Sequence, residues 1–228
     1  MFDYEFHVKH CYNFYPMSKK FGTYAKALPF DKYCAAKLIS ADNVVGDIYT
    51  VDVKTEGLHH QAFVTNRFGH SPAYFDGDIS RQISVSKAQG NRIFAILTLV
   101  GFTESDNVSN YWAEFAIIAL PSTNKQIYDK FLLRISDSIK EGKRLRVDLT
   151  DQDFNKIIDS KGSYIPTSTI PLPEKQGGTV FLKTSMSFRE RMIEQARKKN
   201  IGCFIGGWAF LLICITALFF GLKALLGF

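Results

Sequence analysis

The feature that most constrains this chain is an apolar run near its C-terminus. Residues 201–222 read IGCFIGGWAFLLICITALFFGL and contain no charged side chain. An α-helix over this run is about 33 Å long, and the hydrocarbon core of a bilayer is about 30 Å thick. The alternative is a core helix in a large bundle, but soluble helices of this length usually keep a polar stripe. The sequence therefore predicts a single transmembrane helix at 201–222, followed by a short tail at 223–228.

Most of the net charge of +6 lies directly before this run. The predicted basic collar at the membrane surface consists of Arg189, Arg191, Arg197, Lys198 and Lys199. By the positive-inside rule, these cations hold the preceding domain on the cytoplasmic side, and they attract anionic membrane lipid. The N-terminus shows no secretory signal. We expect a C-terminally anchored (tail-anchored), single-pass protein of a bacterial inner membrane.

The remainder of the chain is nearly neutral, and this excludes one class of partner. A sequence pI of about 9.0 suggests binding to nucleic acid. However, residues 1–182 carry almost equal numbers of basic and acidic side chains and have no basic stripe that could follow a phosphate backbone. We therefore expect no nucleic-acid partner.

The hydrophobic pattern predicts an α+β domain over residues 1–162. Alternating or continuously apolar segments predict strands at 2–14, 44–53, 61–68, 73–76, 79–86, 92–102, 111–120 and 144–149. Since 92–102 is apolar on both faces, we expect it to be covered on two sides. The strands predict an antiparallel, meander-like sheet with one or two packed helices. Helices are predicted at 31–42, beginning at Asp31, at 123–143, with a capping box of Thr123 and Gln126, and after Thr150.

Two segments connect this domain to the predicted membrane helix. Residues 163–184 are rich in proline and glycine, and they predict a linker or a strap that lies on the domain. Residues 185–200 predict a basic amphipathic juxtamembrane helix that begins with a capping box of Ser187 and Glu190.

No residue pattern predicts catalysis, a cofactor or a metal. His59, His60 or His70 could act as a general base, but no nucleophile elbow or phosphate loop accompanies them. His7, His10, Cys11 and Cys34 lack metal-ligand spacing, and Asp76, Gly77 and Asp78 are typical of a turn rather than of a cation site with Asp106. We therefore expect no catalytic, cofactor-binding or metal-binding residue, and a protein that is not an enzyme.

The sequence contains two signals of interaction. Small residues recur in the predicted membrane helix, where they let two helices approach closely; they are Gly202, Gly206, Ala209, Ala217 and Gly221. Aromatic residues crowd the N-terminal part, and Tyr15, Phe21 and Tyr24 are expected to be exposed for a partner. The expected partners are membrane lipid and either a second copy or another membrane protein.

These features indicate a protein that acts by contact. The first hypothesis is a membrane-tethered, protein-binding module that blocks or regulates another membrane complex, an exclusion or immunity type of role. The alternative is an effector that senses a ligand, oligomerises through its membrane helix and disrupts the membrane. An enzyme that uses His59, His60 or His70 is the third hypothesis.

Overall fold

The computed structural model describes residues 22–57, 59–105, 108–175, 177–197 and 201–226. In the last of these ranges it describes the side chains at 202, 206 and 208–220. The predicted strand at 2–14 and two of the predicted partner-binding residues, Tyr15 and Phe21, lie outside the described residues, as do Lys198 and Lys199 of the collar.

In the described part of the chain, seven antiparallel strands form one sheet. They are β1 (Gly22–Pro29), β2 (Ile48–Glu56), β3 (His59–Thr65), β4 (Ala73–Phe75), β5 (Asn91–Ser105), β6 (Val108–Pro121) and β7 (Thr179–Lys183). The strand order is β2-β3-β4-β1-β6-β5-β7, and β2 also pairs with β5. The first six strands therefore close on themselves, and β7 continues the sheet beyond them. The antiparallel α+β prediction is confirmed, although the strand order is not that of a simple meander, because β1 is inserted between β4 and β6.

Six helices accompany the sheet in the described ranges. They are α1 (Lys32–Ile39), α2 (Gly77–Ala88), α3 (Lys125–Lys140), α4 (Asp151–Asp159), α5 (Phe188–Arg197) and α6 (Ile201–Leu226). Three of the four predicted helix starts are present, at Asp31, Thr150 and Ser187. The Asp31 side chain accepts a hydrogen bond from the Cys34 amide, and Thr150 forms a capping box with Asp153. Both contacts satisfy backbone amides that have no partner within the helix.

The strand β5 separates two hydrophobic cores. Its residues Ile93, Ala95 and Leu97 face the interior of the closed sheet, which Tyr49 and Phe115 help to fill. Ile96 faces the opposite way, into a second core that α3 and α4 cover. This arrangement explains why 92–102 is apolar on both faces, as the sequence indicated.

The predicted strand at 79–86 is wrong, because these residues form most of α2. The Asp76 side chain accepts a hydrogen bond from the Ile79 amide at 2.9 Å and begins the helix. Ser80, Ile83 and Ser86, three residues apart, are the buried positions of this helix. Ser80 is buried at no cost in hydrogen bonding, because its Oγ accepts from the Ala62 amide and donates to the Phe75 carbonyl. Although they are buried, the serines occupy the polar positions of an alternating pattern, and this is why the sequence predicted a strand.

Two other local predictions differ from the structure. The helix α3 begins at Asn124 in the left-handed region with φ 51° and no side-chain cap, so Thr123 and Gln126 do not form the predicted capping box. Residues 144–149 do not form a regular strand. They make one isolated bridge, between Leu145 and Thr169.

The segment 163–184 was predicted as a linker or a strap, and its described residues, 163–175 and 177–184, contact the domain and include β7. The Arg146 amide donates to the Ser168 carbonyl, and the Ile170 amide donates to the Arg144 carbonyl. The strand β7 then pairs with β5, and Gly101 is opposite Phe181. Some of the backbone amides and carbonyls of this segment therefore form hydrogen bonds with the domain.

The helix α6 covers the apolar run at 201–222. Over the ranges that the structure describes, a search for helices with both the length and the apolarity of a membrane crossing finds none. The transmembrane helix stays a prediction.

Candidate partner-binding groove

The helix α5 is attached to the rest of the domain by three ion pairs. They join Lys183 to Glu190, Arg67 to Glu194 and Arg197 to Asp42, with nitrogen–oxygen distances of 2.7, 2.6 and 2.6 Å. Glu190, Glu194 and Arg197 fall on one face of a helix with 3.6 residues per turn. The face of α5 that meets the domain is therefore polar, and the attachment is electrostatic rather than hydrophobic.

Lys183 is the most enclosed of these cations. Its ammonium group donates to the Ser40 and Asn43 carbonyls at 2.7 and 2.9 Å and pairs with Glu190, so each of its three N–H bonds has an acceptor. Glu190 also accepts hydrogen bonds from the amide and the hydroxyl of Ser187, as in a capping box, which confirms the predicted start of this helix. Burial by itself would raise the pKa of Glu190, but the hydrogen bonds from Lys183 and Ser187 outweigh it and hold this pKa below its ordinary value.

Arg67 links α5 to the loop before β2. Its two terminal nitrogens donate to the two carboxylate oxygens of Glu194, and Nη2 is also 4.0 Å from Asp47. The guanidinium groups of Arg67 and Arg197 lie 5.0 and 5.2 Å from the centre of the Phe68 ring. Burial raises the pKa of Asp47, and the Val44 amide and Arg67 only partly offset this effect. Arg67 therefore neutralises two carboxylates on different elements and joins them.

A groove of about 710 Å³ lies between α5, the end of α1 and the segment that begins with β7. Its apolar lining includes Ile39, Tyr111, Leu182 and Ile193. Its charged lining consists of Arg189 and the ion pair of Lys183 and Glu190. Ile39, Leu182 and Ile193 are 40, 45 and 40% exposed. Partly exposed aliphatic side chains grouped in a concave surface are typical of a binding site for an apolar segment of a partner.

The alternation of β7 explains why Leu182 faces the groove. Phe181 packs edge-on against Trp112, with 6.1 Å between the ring centres, and is thereby turned toward the sheet. Val180 and Leu182, on the other face of the strand, remain exposed. The sequence pattern did not indicate this site, because the proline and glycine residues around β7 predicted a linker. The alternation of β7 was the one local signal that could have indicated it.

Tyr24 is not exposed for a partner, contrary to the prediction. It lies in β1, its hydroxyl donates to the Leu145 carbonyl at 2.7 Å, and the guanidinium of Arg144 lies 4.6 Å from the centre of its ring. Burial raises the pKa of this hydroxyl well above its ordinary value, and the charges of Arg144 and Glu114 act in opposite directions. Tyr24 is half-buried because β1 is an inner strand of the sheet.

A buried ion pair between Glu114 and Arg144 lies beside Tyr24. Thr98 donates to both the carbonyl and the carboxylate of Glu114, and Arg144 Nε donates to the Pro171 carbonyl at 3.0 Å. The charged groups thus have acceptors and donors within the protein. This arrangement fastens the segment around Pro171 to the sheet, and we assign it a structural role.

Two of the histidines considered for catalysis lie beside polar side chains of β2 and α2. His60 Nδ1 lies 3.1 Å from the Thr55 hydroxyl and 3.3 Å from the Ser84 hydroxyl. His59 and His60 line a second depression of about 390 Å³, together with Asp76, whose carboxylate caps α2. His70 is exposed. Within the described ranges, no group of three or more His, Cys, Asp or Glu side chains could hold a metal ion.

The three described residues of the predicted collar, Arg189, Arg191 and Arg197, are exposed. Arg197 also donates to the Ala41 carbonyl and to Asp42. At Gly202 and Gly206, an added Cβ would meet no described atom within 4 Å. Ala209 and Ala217 are exposed, and Gly221 lies in α6 at a position whose exposure is not described. The predicted helix-packing surface is therefore uncovered at four of its five positions.

We compared the chain with protein-family models, with curated protein sequences and with solved structures. No family model, curated protein or solved structure matches it.

Proposed function

We propose that this protein is a membrane-anchored binding module whose groove engages another protein of the same membrane and thereby blocks or regulates it. The observation that carries the proposal is the attachment of α5 to the domain beside the groove, directly before the uncharged run at 201–222. The three ion pairs of α5 join a binding surface to a segment with the composition of a membrane anchor.

The sequence at 201–222 supports the membrane anchor. An apolar run of this length is more favourable in lipid than in water, and the cations before it favour the cytoplasmic side for the domain. With the run in a membrane, α5 lies at the membrane surface, since only residues 198–200 separate it from α6.

The attachment of α5 limits where the partner can be. A domain on a flexible linker can sample many orientations, whereas Lys183 and Arg67 hold this domain against α5. Ile193 lies on α5 itself and Leu182 lies in β7, so the groove is next to the anchor. A partner in the same membrane can present an apolar segment at this height, and such contact suits an exclusion or immunity type of role.

Two measurements test the proposal. The first is extraction of membranes with alkaline carbonate, after which the full chain is expected in the pellet. The second is photo-crosslinking in intact membranes, with a photoreactive residue at position 182 in the groove or, as a control, at Leu133, which is 58% exposed on α3 and does not line the groove. We expect a discrete product with a second membrane protein from position 182 and none from 133. Equal labelling from both positions, or full extraction by carbonate, contradicts the proposal.

The open surface at Gly202 and Gly206 favours a second candidate, the effector that oligomerises through α6. Two helices that meet at small residues pack closely in lipid. A crosslink at position 182 that joins only copies of this chain, together with leakage of a dye from vesicles that carry the protein, supports this candidate. Vesicles that stay sealed at all protein densities exclude it.

A further inference from the structure

The side of α5 that faces away from the domain has an unusual composition. We define the outward face of α5 as Phe188 and Met192, bordered by Arg191 and by Arg189, which also lines the groove. Phe188 and Met192 are four residues apart and so share one side of the helix, opposite Glu190 and Glu194. Arg189 and Arg191 flank them on the two sides. From this arrangement, and resting on the proposed membrane anchor, we propose that the outward face of α5 lies in the headgroup layer of an anionic leaflet.

Exposure supports this inference. Phe188 is 75% exposed and Met192 is 52% exposed, and no other described large hydrophobic side chain in the exposed set exceeds Phe188. A helix that docked on the domain by hydrophobic packing would turn these two side chains inward. Because α5 docks through its charged face, the side chains of Phe188 and Met192 stay exposed. Interfacial helices bury such side chains at the boundary between headgroups and acyl chains.

Charge complementarity identifies an anionic lipid surface as the occupant. Both acids of α5 pair with cations of the domain, Glu190 with Lys183 and Glu194 with Arg67. The outward side of α5 consequently carries two cations and no acid of this helix, and Arg191 also lies within electrostatic reach of Glu141 of the domain. The third arginine of α5, Arg197, is held by Asp42. Both carboxylates of α5 therefore lie on the domain side of the helix, and neither lies on the side that would meet lipid phosphates.

The position of α5 in the chain makes the same surface accessible. The helix ends at Arg197, and α6 begins at Ile201. Once the apolar run of α6 is inserted, α5 cannot be far from the leaflet surface. An α5 that rests on the leaflet through Phe188 and Met192 also fixes the height of the groove, since Ile193 of the same helix lines it.

Lipid-quenching fluorescence of the full chain tests this inference. The chain carries Trp208→Phe to remove the α6 fluorophore, and Phe188→Trp to report from the outward face. The matched control is Leu133→Trp, on the surface of α3. The probes are vesicles of phosphatidylcholine alone or with phosphatidylglycerol, brominated near the top of the acyl chain. We expect strong quenching of Phe188→Trp, greater in the anionic vesicles, and none at position 133.

The two arginines provide a second, independent comparison. Each cation near an anionic leaflet changes partitioning about fivefold, so Arg189→Gln with Arg191→Gln is expected to lower the equilibrium constant for insertion of α5 about 30-fold in anionic vesicles. Quenching at position 188 that matches the control, or that is unchanged by the arginine substitutions and by phosphatidylglycerol, overturns the inference. So does a protein crosslink from position 188 that displaces the lipid.

Carbonate extraction of the same vesicles separates this inference from the proposed function. Chains that resist extraction but show no quenching at position 188 retain the anchor and overturn the lipid contact of α5. Chains that are extracted but are quenched at position 188 before extraction overturn the anchor and retain the lipid contact.

Discussion

Arg67 and Glu194, which are 127 residues apart in sequence, form a bidentate ion pair with both N–O distances at 2.6 Å. The geometry matches the planar guanidinium to the planar carboxylate, and this is the favourable form of such a pair. It is also the contact through which a residue of the domain reaches the middle of α5.

The first prediction concerns this pair. Arg67→Ala and Glu194→Ala should each weaken the docking of α5 by about 1 kcal/mol, because the pair is partly exposed and solvent screens it. Amide exchange in α5 should become about fivefold faster in either variant, since the local opening free energy falls by that amount. Hydrogen exchange followed by mass spectrometry measures this change.

The double variant of Arg67 and Glu194 should exchange no faster than Arg67→Ala alone, because Arg67→Ala already removes the contact with Glu194. The control is Lys54→Ala, which breaks the highly exposed pair with Glu56 far from α5. This control should leave the exchange of α5 unaltered. Additive effects of the two substitutions would show that the pair does not hold the helix.

A second prediction addresses the buried pair of Glu114 and Arg144. Arg144→Met leaves an uncompensated carboxylate at a position that is 9% exposed, and we expect a loss of about 3–5 kcal/mol in the free energy of unfolding. Replacing both residues by methionine should recover much of this loss, because the Thr98 hydroxyl keeps its hydrogen bond to the carbonyl of residue 114. Urea unfolding of the two variants measures the difference. The structural role would be refuted if the double variant lost as much unfolding free energy as Arg144→Met and Glu114→Met lose together.

The third prediction is a pH dependence at Asp153. Burial raises the pKa of Asp153, but hydrogen bonds from Thr150 and Tyr164 and the charge of Arg146 outweigh it and lower this pKa well below the ordinary 3.8. A carboxyl group whose pKa is lowered on folding stabilises the protein above its ordinary pKa, and the stabilisation is lost as the pH falls from about 4 toward the folded-state pKa. Asp153→Asn should therefore cost about 2 kcal/mol at pH 7 and progressively less below pH 4.

Unfolding by urea at several pH values measures this dependence. Asp159→Asn is the matched control, since it makes the same change of net charge at an exposed position of the same helix. It should alter the stability at pH 7 by less than about 0.5 kcal/mol. A difference between Asp153→Asn and the natural chain that does not narrow in acid would argue against a depressed pKa.

Local signals predicted those parts of the fold that depend on local contacts. The helix starts at Asp31, Thr150 and Ser187 were recognisable because each contact lies within three residues of sequence. The two-sided burial of β5 was recognisable from its composition. By contrast, the closure of the sheet depends on pairing of Tyr49 with Ala95, and nothing near either residue signals that contact.

The candidate groove was not predictable for the same reason. It exists because Lys183 reaches the Ser40 carbonyl and Arg67 reaches Glu194, contacts between segments more than a hundred residues apart. The sequence does contain the alternation of β7 and the charges of α5. It does not contain the information that the acids of α5 turn toward the domain, and this is what leaves Phe188 exposed.

The fourth prediction tests the packing behind β7. A Cβ added to Gly101 would lie 2.5 Å from the Trp112 ring, closer than two carbon atoms can approach, so the ring must move. Gly101→Ala should shift the indole away from Phe181 and from its hydrogen bond to the Thr103 hydroxyl, at a cost of about 1–3 kcal/mol. A changed Trp112 emission and a lower midpoint of urea unfolding measure the two effects, with Trp208→Phe to isolate the signal.

Gly77→Ala is the control, because a Cβ there meets nothing within 4 Å in the described structure, and it should be neutral or stabilising by up to about 1 kcal/mol. Equal stability of the two alanine variants would mean that the Trp112 ring does not lie against Gly101 as described.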